Sequence, residues 1–149
     1  MRKRIKEMHA SVVVVGIPKD KDEGYPDGEV SLVDVAMFNE YGTELGSWSQ
    51  EGIPERPFLR PTLKDNKAKY QKIIAAGAER AIKGGSSWEQ ELGRLGARVS
   101  SDIKLKMRDV REPANTEATI EKKGSSNPLI DTGFLRGSIT WEVRKKVAE

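Results

Sequence analysis

Asp131-Thr132-Gly133, preceded by Leu129-Ile130, is the sharpest chemical signal in the chain. Two such carboxylates facing each other share one proton and activate a water for peptide hydrolysis, with the Thr and Gly holding them coplanar. The chain supplies one triplet, so this chemistry needs two copies. Other reactive residues are sparse. His9 is the only histidine and has no serine, carboxylate or second histidine at useful spacing. The absence of cysteine excludes disulfides, zinc–thiolate sites, iron–sulfur clusters and a thiol nucleophile. Asp20, Asp22, Glu23, Asp27 and Glu29 form an acidic stretch, but it is interleaved with Lys19 and Lys21 and lacks the spacing of a calcium loop. Gly84-Gly85-Ser86-Ser87 precedes a helix, yet no lysine follows the glycines as a phosphate-cradling loop requires. No cofactor or metal is expected.

The elements that must position these residues fit one α+β domain over residues 1–149, with residues 1–9 a flexible basic tail. Charged residues make up 33% of the chain and apolar ones 36%, which leaves a thin core. Lys and Arg number 26 against 23 Asp and Glu, so net charge alone does not argue for nucleic acid. No apolar run reaches the ~20 residues of a membrane span, and the apolar patch behind the basic N-terminus is too short for a secretory signal. The chain is therefore expected to act in the cytosol.

Ala10–Ile17 holds four consecutive valines and reads as a strand, apolar on both faces and so expected in a sheet interior. Ser31, with Asp34 three residues on, caps a helix that Gly42 ends. One helix is predicted over Thr62–Lys83, with Leu63 and Tyr70 on its apolar face and Gly84-Gly85 as its stop. Ser87 with Gln90 forms a capping box for a second, Trp88–Arg108, whose Leu92, Leu95, Val99, Ile103 and Met107 make one stripe. A helical turn is allowed at Glu117–Lys122. Asp131 could cap a short turn through Gly137, and Ser138–Val147 alternates as a last strand. The predicted architecture is a small mixed or antiparallel sheet containing both terminal strands, packed on two long helices. Lys19–Glu29, Thr43–Pro54 and Asp109–Asn127 are predicted as long mobile loops that order on assembly. Trp48, alone among polar residues, is the expected anchor of the second loop.

The Asp131 triplet resembles that of retroviral-type aspartic proteases, but those subunits are nearly all β and place the triplet early, with a small residue where this chain has Phe134. Three segments, the last of which contains this triplet, carry a stronger resemblance by their order. Phe38-Asn39-Glu40-Tyr41-Gly42-Thr43 ends the first helix, and Ile53-Pro54-Glu55-Arg56-Pro57-Phe58-Leu59-Arg60 opens the next. Asn127-Pro128-Leu129-Ile130-Asp131-Thr132-Gly133-Phe134-Leu135-Arg136-Gly137-Ser138-Ile139 leads into the last strand. Over residues 11 to 147 this resembles the tail-completion and neck-protein families of tailed bacteriophages and prophages. The resemblance implies a non-enzymatic subunit that assembles with itself into a ring, expected as a hexamer, against connector-side and tail-tube proteins. It implies assembly in the bacterial cytoplasm and a final place in the virion tail or neck, with no membrane or specific nucleic-acid partner. The candidate motif or interface residues are Asn39, Glu40, Trp48, Arg56, Phe58, Arg60, Asp131 and Arg136. Asn39 and Glu40 are expected to bond backbone at the helix end, and Arg56 and Arg60 to pair with carboxylates. The isolated subunit is expected to be monomeric at modest concentration. The alternatives are an aspartic protease built on Asp131-Thr132-Gly133 and a small nucleic-acid-binding module that uses the basic tail.

Overall fold

A computed structural model describes residues 2–22, 30–44, 52–117, 120, 121, 124, 126 and 133–146. The elements run α1 (Arg2–His9), β1 (Ser11–Gly16), a single 3₁₀ turn (Lys19–Lys21), α2 (Leu32–Tyr41), α3 (Leu59–Asp65), α4 (Lys67–Lys83), α5 (Trp88–Asp109), α6 (Phe134–Ser138) and β2 (Thr140–Lys145). The class is α+β, as predicted. The two terminal strands form a two-stranded antiparallel sheet, with Ser11 opposite Lys145 and Gly16 opposite Thr140.

The long helix α5 is the spine. The Ser87 hydroxyl accepts from the Gln90 backbone and the Gln90 side chain accepts from the Ser87 backbone, so the predicted capping box is complete. Its stripe residues Val99, Ile103 and Met107 are buried with Leu32 and Ala36 of α2, Phe58, Leu135 of α6 and Ile139. The same helix packs against α4 and both strands. Two glycines let the sheet approach. A Cβ on Gly96 would stand 2.8 Å from atoms of both Trp141 and Val13, and one on Gly93 would stand 3.0 Å from the Trp141 ring. Bare backbone at these positions is therefore what seats β1 and β2 on the helix.

Four expectations require correction. Residues Arg2–His9 are helical and pack against α4 and α5, where a basic tail was expected. The helix predicted over Thr62–Lys83 begins earlier, at Leu59, and breaks at Asn66, whose φ of −99° and ψ of 5° leave the α region. The break resets the rotation between α3 and α4, so Leu63, predicted on the apolar face, is 49% exposed. Strand β1 has one neighbouring strand among the described residues, not two. Its Val13 meets α5 while Val14 is exposed. A run of valines satisfies the β preference without saying which face is covered. Ser138 closes α6 through its hydroxyl, which donates to the Phe134 carbonyl at 2.6 Å, so β2 starts two residues later than predicted. Of the turn allowed at Glu117–Lys122, residues 117, 120 and 121 are described and are helical, with the Ile120 N–H donating to the Thr116 carbonyl at 3.0 Å.

Candidate functional site

The first two sequence boxes meet in space and interlock. Helix α3 starts at Phe58, which offers no side-chain cap of its own. Glu40, from the last turn of α2, supplies the cap. Its Oε2 accepts the backbone N–H groups of Phe58 at 2.8 Å and Leu59 at 2.9 Å. Its Oε1 accepts the Arg60 backbone N–H at 2.8 Å and the Arg60 Nε at 3.0 Å. A helix start leaves N–H groups unpaired, and a carboxylate there satisfies them and complements the helix dipole. Burial raises the Glu40 carboxyl pKa. The N–H groups of Leu59, Arg60 and Phe58 and the Arg60 side chain outweigh this and hold it below the ordinary carboxylate range.

The surrounding contacts close the same joint. Asn39 donates from Nδ2 to the Val35 carbonyl at 2.8 Å, and its own carbonyl accepts the Arg56 N–H at 2.7 Å. Thr43 N–H donates to the Ile53 carbonyl, and Ile53 N–H donates to the Thr43 hydroxyl, both at 2.9 Å. Gly42, at φ 71°, makes this crossing possible, because a Cβ there would lie 2.9 Å from the Ile53 carbonyl oxygen. Arg56 is buried but pairs with no carboxylate among the described residues, contrary to expectation. Its Nε and Nη2 donate to the carbonyls of Pro113 and Ala114 at 2.7 and 3.0 Å, and burial lowers its pKa. The planar guanidinium fork matches two successive carbonyls as well as it matches a carboxylate. Arg60 does pair as expected, with Glu40 and Glu55. Phe58 is fully buried in the core. Of the remaining candidates, Arg136 lies on α6, facing a groove against α5. Trp48 and Asp131 lie outside the described residues, as do Thr132 and, within the three predicted loops, residues 23–29, 45–51, 118, 119, 122, 123, 125 and 127. Gly133 is the N-cap of α6, in the left-handed region at φ 81°.

Two further buried carboxylates escaped the sequence reading. Glu91 accepts from Arg80, Ser86 and Arg94 and sits where Gly77 of α4 leaves room. The Arg80 and Ser86 hydrogen bonds pull its pKa down to about 2, against the effect of burial. Asp102 accepts from Lys69 at 2.6 Å and from the Tyr70 hydroxyl at 3.0 Å. Burial raises its pKa, but these partners leave it lowered. Both ties bind α4 to α5. In sequence they look like ordinary charges on a solvated face, because Arg80, Lys69 and Tyr70, the partners that tie the two helices, come from α4.

The joint also fixes an exposed apolar stripe. Val33, Met37 and Tyr41 lie at four-residue steps on α2 and are 38%, 50% and 55% exposed. The Arg60 guanidinium stacks over the Tyr41 ring, 4.4 Å from its centroid, and ties the stripe to α3, where Leu63 is also exposed. A sequence signal for this stripe exists. Leu32–Phe38 carries a single polar residue, Asp34, and a helix apolar around most of its girth has a second face to cover.

No protein-family model, curated protein or solved structure matches the chain. No helix among the described residues is long and apolar enough to cross a membrane.

Proposed function

We infer that the chain is a structural, non-enzymatic subunit of phage or prophage particle assembly. In this reading it forms a ring, expected as a hexamer, at the head–tail junction or tail end. There it links connector-side and tail-tube proteins, after synthesis in the bacterial cytoplasm. The ordered N-E-Y-G-T, I-P-x-R-P-F and D-T-G-x-L-R boxes point to this role.

The α2 stripe is the structural observation that supports it. Val33, Met37 and Tyr41 present apolar surface on a helix whose end is locked by Glu40 and Arg60. A joining subunit needs a rigid, complementary rim, and head-to-tail contacts that close by rotation give a ring. The buried carboxylates Glu40, Glu91 and Asp102 each tie one helix to another, so they serve rigidity.

Deleting the gene from an inducible prophage that carries it tests the reading. The expected result is filled heads and separate tails, with joining restored by the wild-type chain supplied in trans. Joined, infectious particles at normal yield from the deletion strain would overturn it.

A further inference from the structure

A groove of about 390 Å³ runs between the C-terminal half of α5 and helix α6. Ser101, Lys104, Leu105 and Arg108 line one wall at helical spacing, and Gly133, Arg136 and Gly137 line the other. Cations therefore stand on both sides, and no carboxylate lines the groove among the described residues. Arg108 is paired with Asp109, Nε to Oδ1 at 2.8 Å, at the rim. Among the described residues the lining thus holds three cationic side chains, Lys104, Arg108 and Arg136, with Asp109 beside Arg108. The α6 wall is bare backbone, because a Cβ on Gly133 or Gly137 would meet nothing within 4 Å. A ligand can thus approach the chain closely there.

We propose that this groove is a binding site for a phosphate monoester or pyrophosphate-type anion, held between Arg136 and Lys104 with the Ser101 hydroxyl as a neutral donor. The donor set decides the ligand class: three cationic side chains and a hydroxyl line the groove. A phosphate monoester brings them about −1.5 to −2 of charge and three terminal oxygens at neutral pH, whereas a carboxylate or a phosphodiester brings one charge and two such oxygens. Arginine offers two parallel donors to phosphate oxygens and lysine a compact point charge, and the two kinds face each other here. Leu105, 44% exposed in the same wall, provides an apolar edge for the organic part of an ester.

The test is amide chemical-shift titration of the full chain with pyrophosphate, then with a short DNA duplex lacking terminal phosphates, both at fixed ionic strength. Pyrophosphate should shift the amides of Ser101–Arg108 and 133–137 in a saturable way. Arg136→Gln should weaken binding about tenfold, the loss expected of one charge-assisted hydrogen bond. Gly137→Leu should block the groove without changing any charge. Lys83→Ala, on a remote exposed helix end, should leave binding unchanged. Amide spectra of each variant establish that it is folded, and Lys104→Ala replaces any that is not. Absent or unsaturable shifts, or binding by Arg136→Gln and Gly137→Leu as tight as the wild type's, would overturn the site. DNA that binds there more tightly than pyrophosphate would overturn the ligand class.

Discussion

Arg60 meets Glu40 twice through one oxygen: its backbone N–H and its Nε both donate to Glu40 Oε1, at 2.8 and 3.0 Å. The same guanidinium donates from Nη2 to the Glu40 carbonyl at 2.5 Å. Side chain and backbone of two residues twenty positions apart thus form one unit joining the end of α2 to the start of α3.

Removing the carboxylate should therefore cost more than a typical surface change. Glu40→Ala strands three N–H groups at a buried helix start, and losing a buried hydrogen-bonded charge costs about 3–5 kcal/mol. Glu40→Gln keeps an acceptor but loses the charge and should fall between Glu40→Ala and the wild type. Urea unfolding of the three proteins checks the order. A Glu40→Ala protein as stable as the wild type would show that the joint does not hold the fold.

Arg56 tests a different property, the shape of the guanidinium. Its Nε and Nη2 reach two successive carbonyls, and a lysine can reach only one with the same geometry. Arg56→Lys should destabilise by about 1–2 kcal/mol although the charge is kept, because one buried carbonyl loses its donor. Equal midpoints for Arg56→Lys and wild type in denaturant would refute this.

The sequence made some of these relationships visible and hid others. Ser87–Gln90 capping and the α5 stripe are local patterns within four residues, and the structure has both. The two terminal strands followed from alternation at Ile139, Trp141 and Val143 and from the valine run. The Glu40 joint was only half legible: its bonding to backbone was expected, but at the end of its own helix, not at the start of another. Glu91 and Asp102 gave no signal, since their local pairs with Arg94 and Arg98 look like those of any exposed helix face and the partners from α4 are distant in sequence. Gly93 and Gly96 lie inside a strongly helical stretch, and only the Trp141 ring and Val13 lying against them explain why the helix carries them there.

Those glycines make a graded pair. At Gly96 a methyl would press on Trp141 and Val13, on two strands at once, so neither can yield alone. Gly96→Ala should destabilise by about 1–3 kcal/mol, the usual cost of overpacking. At Gly93 the added atom meets only the edge of the Trp141 ring, and the helix gains about 1 kcal/mol from alanine, so Gly93→Ala should be near neutral. Thermal melts of the two variants side by side decide it, and equal destabilisation would contradict the packing argument.

Acid should loosen the molecule through Glu91 before it fully protonates. Its folded pKa of about 2 lies below the ordinary carboxylate value, lowered by Arg80 and Ser86. Stability from this group is therefore complete above the unfolded carboxylate range and lost as pH falls toward 2. Glu40 and Asp102 are shifted in the same direction and add to the slope. Unfolding free energies should fall between about pH 5 and pH 2. Glu91→Gln should be less stable at pH 7 and lose less on acidification. A Glu91→Gln profile parallel to the wild type would show that this carboxylate does not carry the effect.

Assembly should separate from folding at Met37. Its side chain is half exposed, and Val33 and Tyr41 flank it on the same face of α2. The core of that helix is carried instead by Leu32 and Ala36, each one residue before a stripe residue and so about 100° round the helix. Met37→Asp should therefore change stability by no more than about 0.5 kcal/mol, as surface substitutions do. It places a charge in the middle of the stripe, where a partner would have to desolvate it unpaired. Concentrated wild-type protein should show higher oligomers by native mass spectrometry, and dilution should return monomer. Met37→Asp should remain monomeric throughout, while Leu105→Asp, equally exposed but on α5 away from the stripe, should assemble as the wild type does. If Met37→Asp assembles normally, the α2 stripe is not the seam; if it unfolds, the stripe belongs to the core.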